Sequence, residues 1–413
     1  MGCMSGLLKY KYMPKQPLSV IPPSSAKAII DWVFTEGRRI ETTHNFVHQL
    51  AHQMNKRGAS IDRLMVSLLT LNPQLVSTSE TWLKSTDTTT PIYASHGVRN
   101  TERYIGSPLQ AIYETHKRVR QRLDNLPVDA HQIYTELAAD GFTDYLALPV
   151  LFGEIAEPGA AIIINTKRPG GFSDQDIECF RLIRDYLAPV LEVHALRYLA
   201  RSLMNTYVGR RTGEKILAGM IKRGDADIIN AALWFSDLRD FTHLTETLPA
   251  KQLLELLNAY FEFVAAAVSA HGGEILRFIG DGMLIVFPIS DKMCKQTACN
   301  SAIDAAIDAQ STLASLNHRR RRHGQPTIEF GVGLNVGEVI YGNVGAPDRL
   351  DFTVMGPVVN RTARLESLTK ELGRNILFSE NFARLIETPS EFLGHHAMKG
   401  IAEPQAVHAL CAI

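Results

Sequence analysis

Cysteine is scarce and scattered in this chain: five in 413 residues, Cys3, Cys179, Cys294, Cys299 and Cys411, with no C-x-x-C pair and no histidine at zinc-finger spacing. That pattern excludes a disulfide framework and a zinc ribbon and points to a reducing compartment, although Cys294 and Cys299 leave a redox pair open. Net charge is lacking too: 43 basic residues balance 43 acidic ones, so neither a nucleic acid nor an anionic membrane is implied as a partner. No apolar run reads as the roughly 18 to 20 residues that a bilayer span requires, and the start of the chain lacks the apolar core of a signal peptide. The expected location is cytoplasmic, without membrane insertion. Met1-Gly2-Cys3 resembles a myristoylation start, but Gly6 stands where that pattern wants Ser or Thr.

What is present is ordinary globular material, 45% hydrophobic and 21% charged, long enough for two domains. Residues 1–25 hold Pro14, Pro17, Pro22 and Pro23 without sustained periodicity and read as a flexible arm. A mixed region follows over 26–195. Near its end, 144–151 and 160–165 read as two strands joined around Pro158-Gly159. A long helix then starts with Ser173 as N-cap, Asp176 at the capping-box position and Phe172 placed to staple onto Ile177. Pro189 is expected to kink this helix. It either packs on its own domain or pairs with its twin in a dimer. The order strand, strand, "GGFSDQD", long exit helix resembles the close of a GAF-type sensor domain, and 196–225 reads as a linker.

From residue 226 an alternation of strands and helices predicts a mixed α/β sheet. Strands are expected at 228–236, 274–279, 283–287, 328–335, 338–344 and 351–355, with helices at 249–270, 292–317 and 357–372. No segment here repeats, so one chain carries one copy.

Three segments carry candidate chemistry. In "WFSDLRDFT", Asp237 ends an apolar strand just before the amides of a helix start, where a metal and a polyphosphate can be held together; Asp237 or Asp240 as a plain helix cap is the alternative. In "EILRFIGDGMLIVF", two apolar runs flank Gly280-Asp281-Gly282, a tight hairpin turn that would bring a second carboxylate near Asp237. Two hard oxygen donors suit magnesium. In "DFTVMGPVVNRTARLES", a helix places Asn360 and Arg364 four residues apart on one face, either as surface polar residues or to orient a ribose and neutralise a phosphoryl group.

Together and in this order, the three segments closely resemble class III adenylate and guanylate cyclases over 226–413. The resemblance implies a palm-type, ferredoxin-like α/β (α+β) catalytic domain behind the GAF-like α/β domain. It implies that Asp237 and Asp281 bind two Mg2+ (or Mn2+) ions, that Asn360 and Arg364 stabilise the transition state, and that Lys399 of "AMKGI" meets the triphosphate. Leu238, Phe241 and Thr242 fall in the segment expected against the nucleotide. Arg277 and Thr353 fall on the purine-reading pair. Adenylate cyclases usually have Lys at the first of these; Arg keeps a donor but changes its reach. Arg cannot accept from guanine as the Glu of guanylate cyclases does, which argues for ATP, although Arg also pairs with guanine O6 and N7. Glu338 stands where some relatives carry Arg. The resemblance further implies a homodimer whose composite sites draw the metal pair and the Asn/Arg pair from different chains. A nucleotide-binding module without activity is the rival reading. The sequence names no ligand for the sensor domain.

Two other features remain. His44, His48 and His52 recur at helical spacing, as an exposed polar stripe or as zinc or haem ligands lacking any acidic partner in the sequence nearby. The run His318-Arg319-Arg320-Arg321-Arg322-His323 reads as the solvated end of the 292–317 helix or as a nucleic-acid patch.

Overall fold

The computed structural model describes residues 24–153, 158–290 and 293–411. The expected N-terminal arm therefore lies outside the described residues but for its last two. The chain forms two compact units, Met1–Leu203 and Met204–Ile413.

In the first unit, helices α1 (Ser24–Thr35) and α2 (Thr43–Lys56) precede strands β1 (Arg63–Leu69), β2 (Leu75–Leu83) and β3 (Thr88–Ser95). Then come α3 (Pro108–Thr115), β4 (Val119–Arg122), α4 (Gln132–Ala139), β5 (Asp144–Leu151), β6 (Pro158–Thr166) and α5 (Asp174–Tyr207). The six strands make one antiparallel sheet in the order β3-β2-β1-β6-β5-β4. Its central strands are apolar over most of their length because both faces are covered. Leu146, Leu148, Ile162 and Ile164 meet α1, α2 and α5 on one face. Tyr145, Ala147, Ala161 and Ile163 face α3 and α4 on the other. The start of α5 is held by a reciprocal capping box: Ser173 N–H donates to Asp176 Oδ2 at 2.8 Å, and Asp176 N–H donates to Ser173 Oγ at 3.2 Å. The helix runs unbroken through Pro189 for 34 residues, and Ile177, Phe180, Ile183, Leu187 and Leu191 bury its first half on its own sheet.

The second unit contains α6 (Arg210–Leu217), β7 (Ala226–Leu238), α7 (Phe241–Thr247), α8 (Ala250–Ala270), β8 (Glu274–Ile279), β9 (Gly282–Pro288) and α9 (Lys295–Arg322). It continues with β10 (Phe330–Ala346), β11 (Arg349–Met355), α10 (Pro357–Glu371), β12 (Ile376–Ser379), α11 (Glu380–Ala383), β13 (Ser390–His396) and β14 (Gln405–Leu410). The mixed sheet has the order β13-β14-β12-β10-β7-β9-β8, with β11 beside β10. Within it, β7, α8, β8, β9, α9 and β10 are the βαββαβ core of a ferredoxin-like fold, with strands in the order β10-β7-β9-β8.

Period-two alternation along β7 sorts its side chains. Ala232 and Trp234 enter the core under α8 and α9. Ala231 and Leu233 enter a second core with Val208, Ile216 and Met220 around α6. In that second core Thr212 bonds the hydroxyl of Tyr341 at 2.6 Å.

Three expectations need correction. The strands expected at 328–335 and 338–344 are one 17-residue strand, β10, because Gly337 stays in the ladder opposite Ala231 and β7 pairs with β10 throughout. Helix α9 continues to Arg322, so the basic run is helical; Arg320 is buried and donates to the Pro326 carbonyl at 2.6 Å. By length and composition α8 could cross a membrane, its best window averaging a hydropathy of 1.4. The sequence reading passed over it, and the fold uses its apolar stripe, Leu256, Tyr260, Phe263, Val264 and Val268, as core.

Candidate active site

Asp237 lies one residue from the C-terminal end of β7, on the face opposite the buried Ser236, whose Oγ accepts from the Tyr260 hydroxyl at 3.0 Å. Asp281 occupies the tight turn between β8 and β9. Register joins them: β9 pairs with β7 so that Met283 faces Ser236, which brings the turn onto the end of β7. The approach is close enough that a Cβ on Gly282 would stand 2.9 Å from the Ser236 carbonyl and 3.1 Å from Asp237 Oδ1. Only glycine fits there.

The two carboxyl groups share a hydrogen bond. Burial, then that bond and the charge of Asp281, then Glu366, push Asp237 up to about 7. Glu366 itself is pushed up to about 7, by burial first and by Asp281, against the lowering effect of Arg239. A partly buried point where carboxylates converge without a compensating cation between them is a donor set suited to a hard dication. The residues present therefore fit a divalent metal ion.

Sequence reasoning missed Glu366, whose position is set by a close crossing. Opposite Asp237 in the ladder stands Gly331. A Cβ there would lie 2.3 Å from Thr369 Oγ1 and 2.6 Å from Glu366 Oε1, and one on Gly333 would lie 2.3 Å from the Thr362 carbonyl. The two glycines let α10 lie on β10, and their spacing in "FGVGLN" is the one signal the sequence offers. Asn360 and Arg364 stand on the exposed side of the same helix. Among the described residues no hydrogen bond or ion pair joins either to Asp237 or Asp281.

Arg277 on β8 and Thr353 on β11 stand on strands that are not neighbours in the sheet, and Asp351 links them. Arg277 Nη1 lies 2.5 Å from Asp351 Oδ2, and Asp351 and Thr353 share a face of β11 because they are two apart. Thr353 is buried. Asp351 is the second residue that the sequence did not single out. Lys399 is exposed in the turn between β13 and β14.

Leu238 is core, and its N–H donates back to the Asp237 carboxylate. Phe241 packs partly against the same core, while Thr242 is exposed. Asp240 caps nothing with its side chain: it adopts a left-handed φ of 54° and pairs with Lys370 at 2.5 Å. Nor does Asp237 cap α7. Cys294 and Cys299 are both free: Cys294 caps α9 and Cys299 is buried, its thiol pushed up to about 12 by that burial.

Residues 226–408 match the adenylate and guanylate cyclase catalytic domain. The chain is 33% identical over 176 residues to an adenylate cyclase of Anabaena cylindrica, a match covering 42% of this chain and 34% of that protein. It is 37% identical over 157 residues to the terminal-differentiation-specific adenylate cyclase of Dictyostelium discoideum, covering 38% of this chain and 7% of that protein. The solved adenylyl cyclase CyaB of P. aeruginosa aligns at 28% identity with a TM-score of 0.42, over 46% of this chain and 96% of that one. The match thus spans about a third or less of the length of these curated relatives.

Proposed function

We propose that this chain is an adenylate cyclase, converting ATP to 3′,5′-cyclic AMP and pyrophosphate in cyclic-nucleotide signalling. The observation that carries the reading is the meeting of Asp237 and Asp281 at the joined tips of β7 and the β8–β9 hairpin. They are the residues that would hold two Mg2+ or Mn2+ ions. Bound there, such ions supply Lewis-acid polarisation of the ribose 3′-hydroxyl and of the leaving phosphates.

Asn360 orients the ribose, Arg364 meets charge on the α-phosphoryl group, and Lys399 meets the triphosphate. The 3′-oxygen bonds to the α-phosphorus as the bond to the bridging oxygen breaks. Pyrophosphate leaves with that electron pair, and the hydroxyl proton is released. No covalent enzyme intermediate is needed.

Adenine is read by Arg277, which donates to ring N1 while Asp351 fixes its direction beside Thr353. That the Anabaena and Dictyostelium relatives are named adenylate cyclases supports this choice. Guanine is the second reading, because Arg also suits its O6 and N7.

The active form is a homodimer. In one chain Asn360 and Arg364 are exposed and unpaired with the aspartates, and Ile228 (70% exposed), Phe278 (53%), Ile279 (45%) and Ile340 (44%) leave apolar surface on the strands for a second copy to cover. Residues 26–195 serve as a GAF-like sensor for an unknown ligand, a reading supported by their antiparallel sheet with helices on both faces, and 196–225 link sensor to catalyst.

Incubating the purified chain with ATP or GTP, with Mg2+ or Mn2+, and resolving the products chromatographically tests the reading. Cyclic AMP should form at least about tenfold faster than cyclic GMP, the factor that 1.4 kcal/mol of discrimination gives. Faster GTP turnover would change the substrate. Pyrophosphate from neither would leave a nucleotide-binding module without activity.

A further inference from the structure

The sequence shows His44, His48 and His52 without an acidic partner; the fold supplies one from another element. Helix α2 carries His48 and His52 one turn apart, and the turn between β2 and β3 brings Asp87 against them. One donor atom from each of the three lies within 4.8 Å of the others. His52 Nε2 is 2.6 Å from Asp87 Oδ1, and His48 Nε2 is 3.9 Å from the same oxygen.

Around a tetrahedral zinc ion with bonds of about 2.0–2.2 Å, ligand atoms sit about 3.3 Å apart. The observed separations bracket that value, so small rotations of exposed side chains complete the set. A hydrogen bond explains His52 alone; His48 at 3.9 Å is beyond hydrogen-bond range. A cation shared by the three explains both.

The surroundings have the character of supporting contacts. Trp82, itself buried, donates its Nε1–H to Asp87 Oδ1 at 3.0 Å. Thr89 Oγ1 lies 3.4 Å from His48 Nδ1, on the side of the ring away from Asp87. Such partners orient ligands and set their tautomer. His44 stands apart, paired with Glu80 at 3.1 Å.

We propose that His48, His52 and Asp87 form a binding site for a first-row transition-metal dication of the Zn2+ class, with water completing the coordination, in the N-terminal unit. Two imidazoles and one carboxylate favour Zn2+, Co2+, Ni2+ or Cu2+ over Mg2+ or Ca2+. Binding ties α2 to the β2–β3 turn and raises the melting temperature of the first unit. The site is independent of the catalytic reading, since none of its residues belongs to the second unit.

The test uses the full chain, desalted and held in excess MgCl2 so that the hard-oxygen site of the second unit is occupied, then titrated with ZnCl2 in a calorimeter. One equivalent should bind to the wild type, and His48→Ala/His52→Ala should weaken binding at least tenfold. Trp82→Phe, which keeps the packing but removes the donor, should weaken it about 10–100-fold. CoCl2 should give the visible spectrum of a nitrogen and oxygen site. A thiolate charge-transfer band that survives in the double variant would place the metal on cysteine and overturn the proposal, as would equal Zn2+ binding by wild type and double variant. If the double variant does not fold, wild-type histidine proton resonances decide: two ring signals shifting together by one equivalent of Zn2+ support the site, and none shifting overturns it.

Discussion

At Asp237 a single group carries both the chemistry and a measurable cost. Its carboxyl is raised to about 7 by burial and by Asp281, so the metal-free folded chain binds a proton that the unfolded chain, with an aspartate near 3.9, releases. The stability this contributes is fully present below about pH 4 and is lost as pH rises through about 7. The metal-free melting temperature should therefore fall between pH 5 and pH 8 roughly as linkage requires, and Asp237→Asn should flatten that slope and raise the value at pH 8. Glu366, raised for the same reason, keeps the slope from vanishing. Calorimetry in chelator checks this, and a slope unaltered by Asp237→Asn would show that the carboxyl is not raised. Arg277→Glu sets an acceptor against adenine N1 and against Asp351. ATP turnover should fall about 10- to 100-fold, in line with a penalty of about 1–3 kcal/mol for an unpaired buried acceptor. Undiminished turnover in that variant would remove Arg277 from the base pocket. Asp237, Asp281 and Arg277 were named as candidates from the sequence because each sits at a marked place in a short segment. Asp351 and Glu366 were not, since what recommends them is a neighbour on a different strand or helix.

Among elements, the seating of α10 on β10 decides where Asn360, Arg364 and Glu366 lie. Gly333 faces the Thr362 carbonyl so closely that a methyl group would stand 2.3 Å from it, and the obstacle is backbone. Gly333→Ala should therefore lift α10, cost about 1–3 kcal/mol of stability and lower turnover, because Glu366, Arg364 and Asn360 move with the helix. Thermal melts and product assays on one preparation read both effects; a variant with native stability and turnover would mean that α10 is free to shift. The elements that were visible showed in periodicity and caps, as the box at Ser173 and Asp176 shows. The misreadings arose where tertiary pairing overrode a local signal. Gly337 looked like a break between strands, yet β7 runs alongside β10 on both sides of it. Helix α5 continues past Pro189.

For the whole molecule, the decisive question is whether two chains share a site. Asp237→Ala and Asn360→Ala homodimers should each be inactive, because every composite site lacks one half. In a mixed dimer one site collects both lesions and the other collects none. With random exchange half of the dimers are mixed, so co-expression should restore roughly a quarter of wild-type activity by two-fold symmetry. Differential tags verify that mixed dimers exist, and inactivity in their presence would mean that each chain completes its own site. The sequence by itself determined most of the alternation of strands and helices in the second unit, its resemblance to cyclase catalytic domains and the candidate carboxylates, because apolar periodicity, caps and short motifs are written locally. Only the tertiary structure decided which groups meet: Glu366 beside Asp237, Asp351 against Arg277, Asp87 between two histidines of α2. Strand register and helix packing join residues 30 to 130 positions apart, and nothing in the intervening chain encodes that distance.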